Sequence, residues 1–258
     1  SSGVETGAGD NASALFYATA LSWVGRTGES ADIMERARVR LEGNAKLVFL
    51  RGHFIAKRML QHYLSGDVAG DGLRAGADYR AAFGLDSRHR GPSKPLHLWD
   101  YLVAESYLLL EQARETPSSA HIELLDVALQ QLEKIGRVPE FLCHARVLRG
   151  ALEVLSGKIE NGRKLLAEAD TVASLVDNRW ARCEAALWSA RASRAAGVTP
   201  SVELEAARAY SLATDTNWKS RAAALRSEFQ EFIGIDDSGS ALAYTARNSA
   251  AVGATRGH

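Results

Sequence analysis

The sequence predicts an all-α fold, and three observations support this. Alanine and leucine are abundant, whereas the strand-type alternation of valine, isoleucine and threonine is nearly absent. Apolar residues recur at helical spacing, as at Leu15, Ala18 and Leu21. Proline lacks the amide hydrogen that a helix interior needs, so it marks helix ends. Four of the five prolines fall where helices should begin or end: Pro92, Pro95, Pro117 and Pro139.

Helical segments follow one another along most of the chain. Gly28 is predicted to end the first helix, Ser30 to cap the second and Gly66 to end the third. Residues 67–83 predict a weaker helix, because each interior glycine costs about 1 kcal/mol relative to alanine. Residues 84–95 are rich in Gly, Ser and Pro and predict a loop. The predicted helices are 11–26, 31–43, 45–66, 67–83, 96–115, 118–136, 139–156, 159–176, 178–196, 201–214 and 217–233.

Composition and charge exclude several classes of protein. The 258 residues suffice for one large domain or two small ones. The 31 basic residues balance the 31 acidic residues, so no overall field attracts nucleic acid or an anionic membrane. No apolar run reaches the roughly 18 residues that a membrane span needs.

The composition of the two ends indicates the limits of the folded domain, and the cysteine content indicates the cellular location. Residues 1–10 have neither the positive nor the apolar region of a signal peptide, and we interpret them as a flexible lead-in. Residues 234–258 are small, polar and aperiodic, which indicates a flexible tail. Cys143 and Cys183 do not make a disulfide framework, so we expect a reducing, cytoplasmic location.

A repeat in the C-terminal half is the most informative pattern. A 40-residue shift superimposes Cys143 on Cys183 and Gly157 on Gly197, and a further shift of 38 superimposes one turn and helix start on the next. The second shift pairs Asp177 with Asp215 and Trp180 with Trp218. It predicts that the aspartates cap helices and that both tryptophans are buried anchors. Cys143 and Cys183 share a repeat position, which favours two small core residues over a redox or metal role.

The segment 149–173 resembles the tetratricopeptide repeat. In that family a small residue is followed seven positions later by a turn glycine, then by small and bulky residues on the second helix. Those positions are filled by Gly150, Gly157, Gly162, Leu166 and Ala169. The period here exceeds that of the family, and no proline follows Ala169. The resemblance implies a right-handed α-α superhelix of about five helix pairs plus a capping helix over 11–233, with a sub-boundary open at 84–95.

The sequence lacks the common motifs for nucleotide and metal binding. The chain has no GxxxxGK[ST] phosphate loop, and its seven histidines form no HxxxH or HExxH pair. Cys143 and His144 are adjacent, so they point in different directions on a helix. We therefore predict no catalytic residue, no metal and no cofactor. A helical enzyme stays an alternative without a residue to name.

The resemblance does imply one site, the concave groove lined by the first helix of each pair. Two groups of residues match its positions: His144, Val147, Ala151 and Val154 in one unit, and Glu184, Leu187, Arg191 and Arg194 in the next. The groove would change from apolar to basic along its length, which suits an acidic or C-terminal carboxylate ligand. A second basic cluster, a contact for phosphate or an acidic partner, lies in the predicted loop at Arg88, His89, Arg90 and Lys94.

These observations support a leading function and two alternatives. The leading hypothesis is a non-enzymatic scaffold that binds a protein or peptide segment, as do degenerate repeats of this kind in large bacterial regulators. The first alternative is a ligand-sensing or autoinhibitory domain of a transcription regulator or signal-transduction ATPase. The second is the helical enzyme. The sequence leaves open the partner, the parent protein and the oligomeric state.

Overall fold

The computed structural model describes residues 3–42, 48–66, 72–74, 76–77, 96–135 and 138–233. Within these ranges the regular structure is entirely helical, which confirms the predicted all-α class. The long helices are α1 (Gly3–Trp23), α2 (Thr27–Glu42), α3 (Val48–Ser65), α4 (Leu96–Glu115), α5 (Ser119–Ile135), α6 (Pro139–Leu155), α7 (Ile159–Leu175), α8 (Arg179–Ala195), α9 (Thr199–Asp215) and α10 (Lys219–Glu228). None of these helices is long and apolar enough to cross a membrane. The predicted loop 84–95 and tail 234–258 lie outside the described residues, as does most of the predicted helix 67–83.

The six described helices from residue 119 onward repeat with a constant period. They begin at positions 119, 139, 159, 179, 199 and 219, so successive starts differ by 20 and the starts of successive helix pairs by 40. The turns inside the pairs contain Gly157 and Gly197, whose φ angles of 78° and 72° favour glycine. The turns between pairs contain Asp177 and Asn217 at φ 49° and 56°. Aspartate and asparagine tolerate this left-handed region better than most residues.

This constant period corrects the predicted shift of 38 and the capping role given to the aspartates. Asn178, not Asp177, precedes α8, and its side-chain oxygen accepts a hydrogen bond from the Ala181 amide at 3.0 Å. Trp218 is the residue that precedes α10, so its structural equivalent is Asn178 and not Trp180. Asp215 ends α9. Pairing the two tryptophans gave the shift of 38. The backbone conformations of the two turns match at a shift of 40.

Small residues let α6 and α7 cross closely. A Cβ atom added to Gly162 would lie 2.6 Å from Val154 Cγ2 and 2.9 Å from the Gly150 carbonyl oxygen. A Cβ added to Gly150 would lie 2.8 Å from Leu166 Cγ. Because neither helix has room for even one methyl group, the two backbones fix each other's position.

The N-terminal helices begin differently from the prediction. The helix α1 already contains residues 3–10, and the first turn is made by Gly25 at φ 76° rather than by Gly28. Ser30 is not a cap: it lies buried inside α2, and its hydroxyl donates to the Ala18 carbonyl of α1 at 2.7 Å. Gly66 ends α3 at φ 78° as predicted. Ser118 accepts from the His121 amide at 3.2 Å, as a cap should.

Packing joins the helices into a closed arrangement. Each helix packs against the next in sequence, α4 and α8 also pack against α6, and α3 packs against α1. The last described helix, α10, returns to contact α3. A large core runs through α3–α10, and a smaller one joins α1, α2 and α3 around Leu15, Met34 and Phe54. The helices α3, α4, α6, α8 and α10 therefore surround a common interior.

Candidate functional site

Most of the residues predicted to line an open groove are buried. Val154 is half-buried, and the side chain of Arg194 is 39% exposed. The side chain of Arg191 is only 11% exposed. The other five positions are buried: His144, Val147, Ala151, Glu184 and Leu187. In this structure most of the predicted groove is therefore inaccessible to a partner.

Aromatic side chains from five elements fill one end of the interior. The Trp218 ring lies 4.5 Å from that of Trp23, between ring centroids, and 6.0 Å from that of Tyr63. Trp180 lies 5.0 Å from Tyr107 in the same way. The Trp218 indole nitrogen donates to the Leu64 carbonyl at 3.2 Å. This aromatic cluster (Trp23, Tyr63, Tyr107, Trp180 and Trp218) ties the first and last described helices together.

His144 lies at the edge of the aromatic cluster and is held in one neutral form. The Asn178 side-chain nitrogen donates to its Nε2 at 3.0 Å, so Nδ1 carries the proton and donates to the Tyr107 oxygen at 3.0 Å. Burial lowers the pKa of His144 to about 3. Both ring nitrogens are occupied and the ring stays uncharged at neutral pH. His144 therefore has the properties of a structural histidine and not of a general acid or base.

Beyond the aromatic cluster lies a network of buried ions. The Arg221 guanidinium lies 2.8 Å from a Glu184 oxygen and 3.4 Å from a Glu111 oxygen, and it also donates to the Tyr63 hydroxyl. Arg114 donates to the second Glu111 oxygen at 2.6 Å. Burial opposes the ionisation of Glu111, but Arg221, Arg191 and Arg114 outweigh it and hold its pKa at about 2. Arg221 of α10 thus links α3, α4 and α8.

The predicted basic groove residues already have an acidic partner in the same chain. Arg191 donates to both Glu228 carboxylate oxygens, at 2.9 Å and 2.7 Å, in a bidentate pair. Arg194 donates to the Glu228 carbonyl oxygen at 2.8 Å, and its guanidinium lies 4.1 Å from the centre of the Phe229 ring. The sequence predicted that these arginines suit a carboxylate ligand. In the structure the end of α10 provides an intrachain acceptor for both of them.

The other candidate chemistry does not form a reactive site. Cys143 and Cys183 are buried free thiols, as predicted for core positions. Burial raises the pKa of Cys143 to about 11, so its reactive thiolate is suppressed at neutral pH. Among the described residues no cluster of histidine, cysteine and carboxylate side chains could hold a metal ion. The predicted basic cluster Arg88, His89, Arg90 and Lys94 lies outside the described residues.

A surface hollow at the C-terminal end of the repeat was not predicted. It lies between α9 and α10 and has a volume of about 520 Å³. Its lining residues are Tyr210, Lys219, Ala222, Ala223, Arg226, Ser227 and Gln230. The alanines form an apolar floor, and the two cations stand at opposite ends of α10. We call this feature the terminal hollow.

The 40-residue period explains why the terminal hollow is open. On α8 the positions Cys183, Ala186 and Ala190 are buried, and α9 packs against that helix. The equivalent positions are all exposed: Ala223 and Arg226 on α10, and Gln230 in the turn that follows it. Within the described residues, no helix after α10 covers this face. This open face could have been recognised from the sequence. The 40-residue register places these three residues on a face that is covered in the preceding helix pair.

Comparison with known proteins adds no family assignment: no protein-family model, no curated protein sequence and no solved structure matches the chain.

Proposed function

We propose that this chain is a non-enzymatic interaction module, a tetratricopeptide-like superhelix within a larger regulatory or signalling protein, that binds a protein or peptide segment. The observation that carries the proposal is the exposed face of α10, the last described helix, at repeat positions that are covered on α8. An uncovered repeat face beside a hollow of about 520 Å³ suits a macromolecular segment.

The filled interior of the described helices supports the same proposal, because it leaves no room for a ligand. Trp218 is 1% exposed and Glu184 is fully buried, so a ligand entering the interior would have to displace core residues. Removing a side chain of this size from a core costs about 3–5 kcal/mol. An external face needs no such rearrangement. We therefore assign binding to the surface and structural closure to the interior.

The function is tested by panning a library of helical peptides against the immobilised full chain. The proposal predicts enrichment of related sequences that bind saturably in solution. A metabolite library screened in parallel by thermal shift addresses ligand sensing. If no peptide binds saturably and a small molecule raises the melting temperature, the proposal is wrong and the sensing function takes its place.

A specific contact favours an autoinhibitory domain as the second candidate. Glu228 accepts hydrogen bonds from Arg191 and Arg194, the two arginines that would otherwise attract an acidic ligand. If Glu228 acts as an internal substitute for that ligand, Glu228→Gln should increase the affinity for acidic peptides that bind these arginines. If Glu228 only stabilises the fold, Glu228→Gln should lower the melting temperature and leave peptide affinity unchanged. Measuring both quantities on the same variant separates the two roles.

A further inference from the structure

We propose that the terminal hollow binds one amphipathic helix of a separate protein, with small residues along its contact face and acidic residues seven positions apart beside them. This inference rests on the proposed function and specifies its partner. The helical form follows from the repeat register. The equivalent faces of α6 and α8 each pack against a following helix, α7 or α9. The α10 face therefore stands at the repeat position at which each preceding pair packs its second helix.

The contact surfaces of α7 and α9 indicate the small residues. Ala206, Ala209 and Ala213 of α9 are fully buried, and α9 packs against both α8 and α10. On α7 the buried positions include Ala169 and Ala173. Small side chains let two helices approach closely, and the floor of the terminal hollow is itself made of alanines, Ala222 and Ala223. A partner with large residues on that face would be held away from the floor.

Charge specifies the partner further. Lys219 and Arg226 line the terminal hollow, seven positions apart on α10, which separates them by about 10 Å along one helix face. Neither side chain has an ion pair or hydrogen bond with any other residue in the described part of the chain. Two carboxylates seven positions apart on an antiparallel helix have the same separation. Each would meet one cation at the rim of the contact.

The same charges argue against two other occupants. Residues 234–258 contain only two acidic residues, the adjacent Asp236 and Asp237, and they also contain Arg247 and Arg256. This stretch therefore lacks two carboxylates seven positions apart that would match the two cations. A second copy docked face to face by two-fold symmetry would place the Lys219 and Arg226 of both copies at one interface. Like charges in such a contact repel. An acidic helix from a different protein is the occupant that the charges favour.

The test uses the full chain and two synthetic helices, each as long as α9. Both carry alanines on one face, and they differ only in having two glutamates or two lysines seven positions apart beside it. Fluorescence anisotropy measures their affinities. The acidic helix should bind at least about tenfold more tightly than the basic helix, with the difference shrinking as salt is added. Equal affinities of the two helices would overturn the proposal.

Three variants locate the binding face. Lys219→Glu with Arg226→Glu should weaken binding of the acidic helix by about tenfold or more, because two attractions become repulsions. Ala223→Trp should fill part of the terminal hollow and weaken binding of the acidic helix by a similar factor. Lys164→Glu, an exposed lysine on α7, is the matched control and should leave the affinity unchanged. Circular dichroism confirms that each variant folds. Loss of affinity only in the control, or in none of the variants, would contradict the assignment.

Photo-crosslinking identifies the occupant. With p-benzoylphenylalanine in place of Ala223, the adduct should form with the acidic helix. An adduct within the same chain at 234–258, or between two copies, would overturn the proposal in favour of those occupants. If panned peptides bind the chain but Ala223→Trp does not affect them, this inference fails while the proposed function stands.

Discussion

Replacing Trp218 tests how the last helix closes the interior. The side chain is 1% exposed, and its ring lies against Trp23, Tyr63 and Trp180, at centroid distances of 4.5, 6.0 and 6.4 Å. A buried tryptophan removes about 200 Å² from water, worth about 5 kcal/mol at about 25 cal/mol per Å². Substitution by alanine in a core costs about 3–5 kcal/mol. Trp218→Ala should therefore lower the free energy of unfolding by about 4 kcal/mol.

Trp218→Phe separates packing from hydrogen bonding. Phenylalanine keeps an aromatic ring in the cluster but loses the indole donor to the Leu64 carbonyl. The Ser220 hydroxyl also donates to that carbonyl, so the acceptor stays satisfied. We expect Trp218→Phe to lower the free energy of unfolding by about 1–2 kcal/mol, less than Trp218→Ala.

Urea unfolding followed by circular dichroism measures these differences. Leu175→Ala is the matched control, because Leu175 is 81% exposed and its truncation should change the free energy of unfolding by less than about 0.5 kcal/mol. A loss below about 1 kcal/mol for Trp218→Ala would refute the reasoning. That result would mean that α10 does not pack into the interior.

Two further predictions concern the helix crossing and the buried histidine. Gly162→Ala should lower the free energy of unfolding by about 1–3 kcal/mol, because the added methyl group meets the α6 backbone. The control is Gly28→Ala in α2, where the added methyl group meets no atom within 4 Å, and it should raise the free energy of unfolding by about 0.5 kcal/mol. Equal effects of the two substitutions in urea unfolding would contradict the close crossing of α6 and α7. His144 binds a proton at about pH 6.5 when unfolded but only at about 3 when folded. The contribution of His144 to the free energy of unfolding is therefore complete above about pH 6.5. It is lost as the pH falls, and the loss reaches about 2 kcal/mol at pH 5. His144→Gln should remove that loss and His121→Gln should not, and an unchanged pH profile in His144→Gln would sink the assignment.

Local signals in the sequence located most helices. Pro117 follows the end of α4 closely, and Pro139 begins α6. Gly157 and Gly197 mark turns because their φ angles suit glycine. These features act over a few residues, so a single sequence reveals them. The misplaced turn at Gly28 shows the limit, because Gly25 three positions earlier satisfies the same requirement.

The site could not be predicted in the same way. Glu184 pairs with Arg221 of α10, and α10 also contacts α3, so this pairing joins segments that lie far apart in the sequence. Helical periodicity indicates which face of a helix is apolar but not which distant helix covers it. The pairing of Arg191 with Glu228 likewise depends on where α10 lies. The exposed face of α10 became recognisable once its helix start fixed the 40-residue register.

The closure of the interior by the last helix is tested most directly by nuclear Overhauser effects in solution. The rings of Trp23 and Trp218 come from opposite ends of the described chain, and their centroids lie 4.5 Å apart. We predict cross-peaks between the protons of the two indoles in the full chain. Their absence, with both indoles assigned and the helices intact, would contradict the closed interior and restore the open groove that the sequence alone predicts.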